Sequence, residues 1–195
     1  MDATFRPYVI AIFVVVMAIG IPFRIKSRSP EKLDRMQEGL FILVALRLAG
    51  VVLWSGAIAF MIKPASMAWA SLPFPASVRW IGVGIGAVTP LLFAWTLSTL
   101  GPNLTDTVVT RQSHTLVTRG PYRWVRHPFY DCLALFELSL ALTAANWFML
   151  AAGIVVFSLI AARTRIEEEK LLARFGDPYR AYLQRTGRFL PRSRN

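Results

Sequence analysis

The chain alternates between long apolar runs and short polar stretches, and the lengths of the runs carry the first information. Three runs are long: residues 8–23, 40–62 and 78–100. Two shorter ones follow, about 130–144 and 147–162, with Asn146 between them as a polar turn. A helix crossing the hydrocarbon core needs about 20 apolar residues, and about 17–25 are tolerated. The pattern predicts an all-α, polytopic membrane protein with five transmembrane helices. The last two form a tight helical hairpin packed against the others. The first run does not read as a secretory leader. Its end, Gly20-Ile21-Pro22-Phe23, lacks a small-x-small cleavage site, and positive charge follows it instead of preceding it. Gly82 and Gly86 form a small-xxx-small pair in the third run, which suits close helix packing in lipid.

Composition agrees with this reading. Of 195 residues, 55% are hydrophobic and only 17% charged, with a mean hydropathy of +0.48 and a net charge of +11. Disorder is excluded by the apolar content, and the long apolar runs argue against a nucleic-acid binder. The single cysteine, Cys132, excludes an internal disulfide and a cysteine-rich zinc site. The two histidines, His114 and His127, match no usual ligand spacing, so no metal is expected.

The placement of the basic residues orients the helices. Of the 22 Lys and Arg residues, all but Arg6, Arg47, Lys63 and Arg79 fall in three segments: the stretch after the first run, the 101–129 loop, and the tail from Arg163. The positive-inside rule puts the N-terminus outside and the C-terminus and both large polar segments in the cytoplasm. A bacterial inner membrane and an endoplasmic reticulum membrane both impose this pattern. Three N-terminal transmembrane helices are expected over 1–100. The region 101–195 holds a loop, the hairpin and a cytoplasmic tail helix.

The chemistry concentrates in the two cytoplasmic segments that the hairpin folds together. The first holds both histidines. The second holds Glu167-Glu168-Glu169 directly after the last span. On a helix Arg163 and Glu167 share a face, at i and i+4. Phe175, Tyr179, Tyr182 and Leu183 give the tail helix an apolar stripe, which either closes over a cytoplasmic pocket or rests on lipid. Asp131, Glu137 and Arg47 are ionisable residues in or near spans. Glu137 and Arg47 either pair across the bundle or stay apart, with Arg47 snorkelling.

Taken together, the segments resemble the integral-membrane isoprenylcysteine carboxyl methyltransferases, with phospholipid methyltransferases as relatives. The shared pattern is H-x-L-V-x-x-G-x-Y-x-x-x-R-H-P-x-Y, then R-x-x-x-E-E, then F-G-x-x-Y. It is carried here by His114, Leu116, Val117, Gly120, Tyr122, Arg126, His127, Pro128 and Tyr130. The later parts fall on Arg163, Glu167, Glu168, Phe175, Gly176 and Tyr179. The resemblance implies S-adenosylmethionine as cofactor. Its contacts would come from His114, Thr115, Leu116, Val117, Gly120, Tyr122, Arg126, His127, Pro128, Phe129, Tyr130 and Glu167. It assigns Arg163 to the acceptor, a lipophilic small molecule or lipidated carboxylate reached through the membrane lipids. An amine acceptor, as in phospholipid or amine N-methylation, would need a base, and Glu168 is the candidate. The sequence departs from many relatives in having Asp131-Cys132 after the motif Tyr, where a glycine is common. The alternative is a sterol-reductase-like membrane enzyme using NADPH, with Arg119, Arg123 and Arg126 as a phosphate site. A third reading is a non-enzymatic membrane protein with a decayed site.

Overall fold

The computed structural model describes residues 2–27, 39–103 and 115–192. His114, expected at the start of the cofactor loop, lies outside the described residues. Six α-helices and short 3-10 turns make up the described chain, with two isolated β-bridges and no strand among these residues.

Four helices are long and apolar enough to span a bilayer: α1 (Asp2–Lys26), α2 (Leu40–Ile62), α3 (Ala76–Leu100) and α5 (Trp147–Phe175). The fifth apolar run forms α4 (Pro128–Ala144), whose 17 residues rise about 25 Å, short of a 30 Å core. Its shortness is accommodated by burial. Helix α4 packs against α3, α1 and α5, and Cys132, Phe136, Leu140 and Ala141 along it are almost fully buried. They join Val9, Ile12 and Val16 of α1, Phe60 of α2 and Phe93 and Leu97 of α3 in one core. Apart from Arg47 and Ser55, the exposed side chains of α2, among them Phe41, Leu48, Val51 and Ile62, are apolar, which is how a lipid-facing surface reads.

The small-residue pair does what its spacing suggests. A Cβ placed on Gly82 would lie 2.7 Å from the Thr143 nitrogen of α4, whereas Gly84 faces open space. Ser139 Oγ donates to the Gly82 carbonyl across the same contact at 2.9 Å. Gly86 meets Ile12 and Ser139 equally closely. The close approach of α3 and α4 therefore depends on the missing side chains.

The hairpin turn is built by two residues. Ala145 ends α4 in the left-handed conformation, with φ of 50°. Asn146 then caps α5, its side-chain oxygen accepting from the Met149 nitrogen at 3.0 Å. Its amide donates to the Met67 carbonyl at 3.3 Å, tying the turn to the Pro64–Ala70 3-10 helix after α2.

Helix α5 runs on without a break past the expected end of the span at 162, for 13 further residues to Phe175. That extension carries Arg163 and the glutamate triplet beyond the apolar portion. Gly176, at φ of 59°, turns the chain into α6 (Asp177–Arg185). Of the two alternatives for Glu137 and Arg47, the pair does not form. Arg47 is exposed on α2, and no ion pair joins the two. The Glu137 side chain instead lies beside Gly153 of α5, where a glycine Cβ position is 3.3 Å from Glu137 Cβ. Helices α2 and α4 meet mainly through α5 and α1, which explains the separation.

Candidate active site

The site forms where the loop before α4, the extension of α5 and the chain after α6 meet. Gly120 opens the loop's final turn at φ of 56°, and a Cβ there would lie 2.7 Å from Thr99 Oγ1. Only glycine suits both the backbone and the space. Pro121 and Tyr122 follow, both buried, in a single 3-10 turn. Pro128 starts α4 at its first turn, where its missing N–H costs nothing. His127 is the residue before the helix, so its side chain and that of Tyr130 project from the same end of α4.

His127 and Tyr130 stack, with ring centroids 5.5 Å apart and planes 12° from parallel. The Tyr130 hydroxyl donates to Glu167 Oε2 at 2.9 Å. His127 Nδ1 lies 4.0 Å from the other oxygen of the same carboxylate. His127 Nε2 is 3.2 Å from Glu168 Oε1. With its proton on Nε2, the ring donates to Glu168, and Nδ1, 4.0 Å from Glu167, makes no hydrogen bond to that carboxylate. Arg163 precedes Glu167 by one turn of α5 and is half-buried on the same face.

Glu168 is the most heavily bonded side chain in the site. Arg126 Nε donates to it at 2.8 Å, Arg188 Nε at 3.2 Å, and Arg188 Nη2 closes a second contact. A carboxylate accepting from two guanidiniums and an imidazole is stabilised as the anion and makes a poor proton acceptor. The arrangement speaks against Glu168 as a general base and makes it a structural anchor. The same pairing holds the Arg188 guanidinium above its ordinary value, through hydrogen bonding to Glu168. Arg126 also reaches the Thr186 carbonyl, next to the C-terminal end of α6. Its guanidinium is engaged by Glu168 and the Thr186 carbonyl within the protein.

The chain after α6 folds back as a strap. Arg126 and His127 donate their backbone N–H groups to the carbonyls of Gly187 and Arg188, at 2.9 and 3.1 Å. Phe189 packs on His127 at 5.9 Å and on Phe157 of α5 at 5.2 Å. Arg188 and Phe189 are site residues that sequence reasoning misses. Their partners lie 20 or more residues away, and no local spacing announces them.

The other expected residues divide into two groups. Thr115, Leu116 and Val117 line the loop's approach, with the Thr115 nitrogen donating to Asn103 Oδ1 at 2.9 Å. Asn103 is an anchor that carries no motif. Phe129 turns away from the site and stacks on Phe93 of α3 at 5.6 Å, so its side chain belongs to the α3–α4 packing. Tyr122 is buried. Burial, then the charge of Glu167, raises the pKa of its hydroxyl. Its carbonyl accepts from the Tyr182 hydroxyl at 2.5 Å. The stripe on α6 thus packs on the loop, with Tyr182 and Tyr179 both buried, and does not rest on lipid.

Beside this loop, the Tyr179 hydroxyl is among the buried polar atoms that lack a hydrogen-bond partner in the described residues. The Tyr179 residue is 1% exposed. Leaving a buried hydroxyl unsatisfied costs about 1–3 kcal/mol. Together with Glu167 as an acceptor and the flat His127–Tyr130 pair, this suits a ligand with a charged amino-acid end and an organic cation. Among the described residues no group of three or more His, Cys, Asp or Glu side chains is gathered as for a metal ion.

Comparison with known proteins places the same region. Residues 82–173 match the model of the "Isoprenylcysteine carboxyl methyltransferase (ICMT) family". The cobalt-zinc-cadmium resistance protein CzcN of Cupriavidus metallidurans is 34% identical over 131 residues, covering 63% of this chain and 58% of that one. Protein-S-isoprenylcysteine O-methyltransferase of Tribolium castaneum is 30% identical over 114 residues, 57% of this chain and 41% of its own length. The Homo sapiens protein of that name is 32% identical over 96 residues, 48% of this chain and 34% of its own. The chain thus spans only about a third to somewhat over half the length of these relatives. A solved structure of the eukaryotic intramembrane Ras methyltransferase ICMT shares the fold. Its TM-score is 0.54 at 22% identity, over 93% of this chain and 61% of that one.

Proposed function

We propose that this chain, whose residues 82–173 match the model of the isoprenylcysteine carboxyl methyltransferase family, acts as a member of that family and methylates the carboxylate of a lipophilic, prenylcysteine-like acceptor. The donor is S-adenosylmethionine, which when bound supplies a methyl group on a sulfonium. The observation that carries the reading is the cluster His127, Tyr130 and Glu167, with Arg163 one helical turn away.

Glu167 accepts from the donor's ammonium, and Tyr130 holds the Glu167 carboxylate in place. Tyr130 presents an aromatic face suited to an organic cation. The loop at Leu116 and Val117 flanks the adenine. Arg163 orients the acceptor carboxylate with a charge-assisted contact, which is bidentate in its best geometry. A carboxylate is already a nucleophile at neutral pH, so no base is required. The protein's task is alignment and exclusion of water. The bonding of Glu168 supports a carboxylate over an amine acceptor, because the one candidate base is committed to Arg126 and Arg188.

Transfer of label from methyl-labelled S-adenosylmethionine to S-prenylated thioether carboxylates, in detergent, tests the proposal. Labelled, base-labile methyl ester is the expected product. Label appearing only in amines or phospholipids would overturn the acceptor assignment. Arg163→Lys is expected to lower kcat at least about 100-fold while leaving cofactor affinity within about twofold. Parallel losses in both would remove Arg163 from its role at the acceptor.

A further inference from the structure

We infer that the Tyr179 hydroxyl is a further cofactor-binding group, one that hydrogen-bonds the amino-acid end of the bound methyl donor. The inference rests on the reading above and adds a residue to it. Tyr179 and Tyr182 sit three positions apart on α6, and both rings are buried, with centroids 5.9 Å apart. Their hydroxyls differ in one respect. Tyr182 donates to the Tyr122 carbonyl, while the Tyr179 oxygen is sealed from solvent without a partner among the described residues. A helix that satisfies one phenol and strands its neighbour is shaped by something besides its own folding.

The surroundings say what the hydroxyl faces. Burial raises the pKa of the Tyr179 hydroxyl, the Glu168 charge raises it further, Arg126 opposes this, and Glu167 adds to it. The phenol oxygen therefore lies in the field of the same carboxylates that define the site. Glu168 is fully committed to Arg126, Arg188 and His127 and offers Tyr179 no bond. Glu167 accepts from Tyr130 and keeps lone pairs for an ammonium. A zwitterionic amino-acid end meets both demands. Its ammonium donates to Glu167, and its carboxylate accepts the Tyr179 O–H. The Gly176 turn, at φ of 59°, folds α6 back against α5, the helix that carries Glu167.

The test uses Tyr179→Phe in the full-length, detergent-solubilised protein, with binding read by competition against labelled S-adenosylmethionine. Two competitors are compared: S-adenosylhomocysteine, and 5′-methylthioadenosine, which lacks the amino-acid end. The variant is expected to bind S-adenosylhomocysteine about 10- to 100-fold more weakly, as for loss of a hydrogen bond to a charged group. Its affinity for methylthioadenosine should not change, and its ligand-free melting temperature should be equal or higher. Equal weakening for both ligands, or none for S-adenosylhomocysteine, would overturn the inference while leaving the methyltransferase reading intact. A wild-type protein that binds neither ligand overturns both.

Discussion

At the scale of single residues, adjacent glutamates have opposite fates. Glu167 keeps free lone pairs and faces the site, whereas Glu168 is enclosed by Arg126, Arg188 and His127. The sequence shows two neighbouring acids on a helix and so leaves either open as a base. The difference is set by Arg126, 42 residues earlier, and Arg188, 20 residues later, which only the fold brings together. Two expectations follow from that difference. Glu167→Ala should reduce S-adenosylmethionine binding at least tenfold with little change in melting temperature, measured by calorimetry and thermal unfolding. Glu168→Ala should act mainly on stability. It leaves the Arg126 guanidinium, 11% exposed, without its carboxylate, at a cost on the order of 3 kcal/mol. Arg188→Ala should cost less, under about 1 kcal/mol, because that side chain is one-third exposed and screened by solvent. If Glu168→Ala melts like the wild type, the anchoring role is wrong.

At the scale of elements, what could be read in advance was whatever depends on local pattern. The apolar runs mark five helices, Asn146 marks the hairpin turn, and the Gly82–Gly86 spacing marks a packing face. What could not be read was geometry closed by distant partners. The continuation of α5 to Phe175 and the strap over 186–190 depend on contacts with the loop before α4. These elements also yield the sharpest stability contrasts. Gly82→Ala should weaken the α3–α4 contact by about 1–3 kcal/mol through overpacking, while Gly84→Ala, facing open space, should be neutral or slightly stabilising. Asn146→Ala removes the cap of α5 and should cost about 1–2 kcal/mol. Ala145→Gly relieves a left-handed backbone at a position where glycine is at ease, and should stabilise by up to about 1 kcal/mol. Thermal unfolding of the four variants in one detergent ranks them. Equal melting temperatures for the two glycine variants would contradict the packing account.

At the scale of the molecule, the net charge of +11 becomes an argument about orientation. The loop after α3 and the chain after α5 converge at one end of the bundle, where Arg126, Arg188 and Glu168 interlock. That end carries most of the basic residues. The other end is different in kind. There Arg6 donates to the Met61 carbonyl, Arg79 is buried against the Thr143 carbonyl, and Trp69 packs on Trp147. Two of its cations are therefore engaged by the fold itself, and exposed aromatic rings mark an interface. The positive-inside rule then predicts that the active-site end faces the cytoplasm and the Trp69–Trp147 end faces the opposite side. The proposed function fits the same orientation: a water-soluble methyl donor would enter from the cytoplasm, and the proposed lipophilic acceptor would reach Arg163 laterally from the bilayer. A fluorescent protein that folds only in the cytoplasm, fused after Asn195, should be bright. A cysteine at Lys63, in a Cys132→Ser background, should react in intact cells with a membrane-impermeant maleimide. A dark fusion with an unreactive Lys63→Cys would invert the molecule and separate the site from its cofactor, which would undo the orientation and the proposed chemistry together.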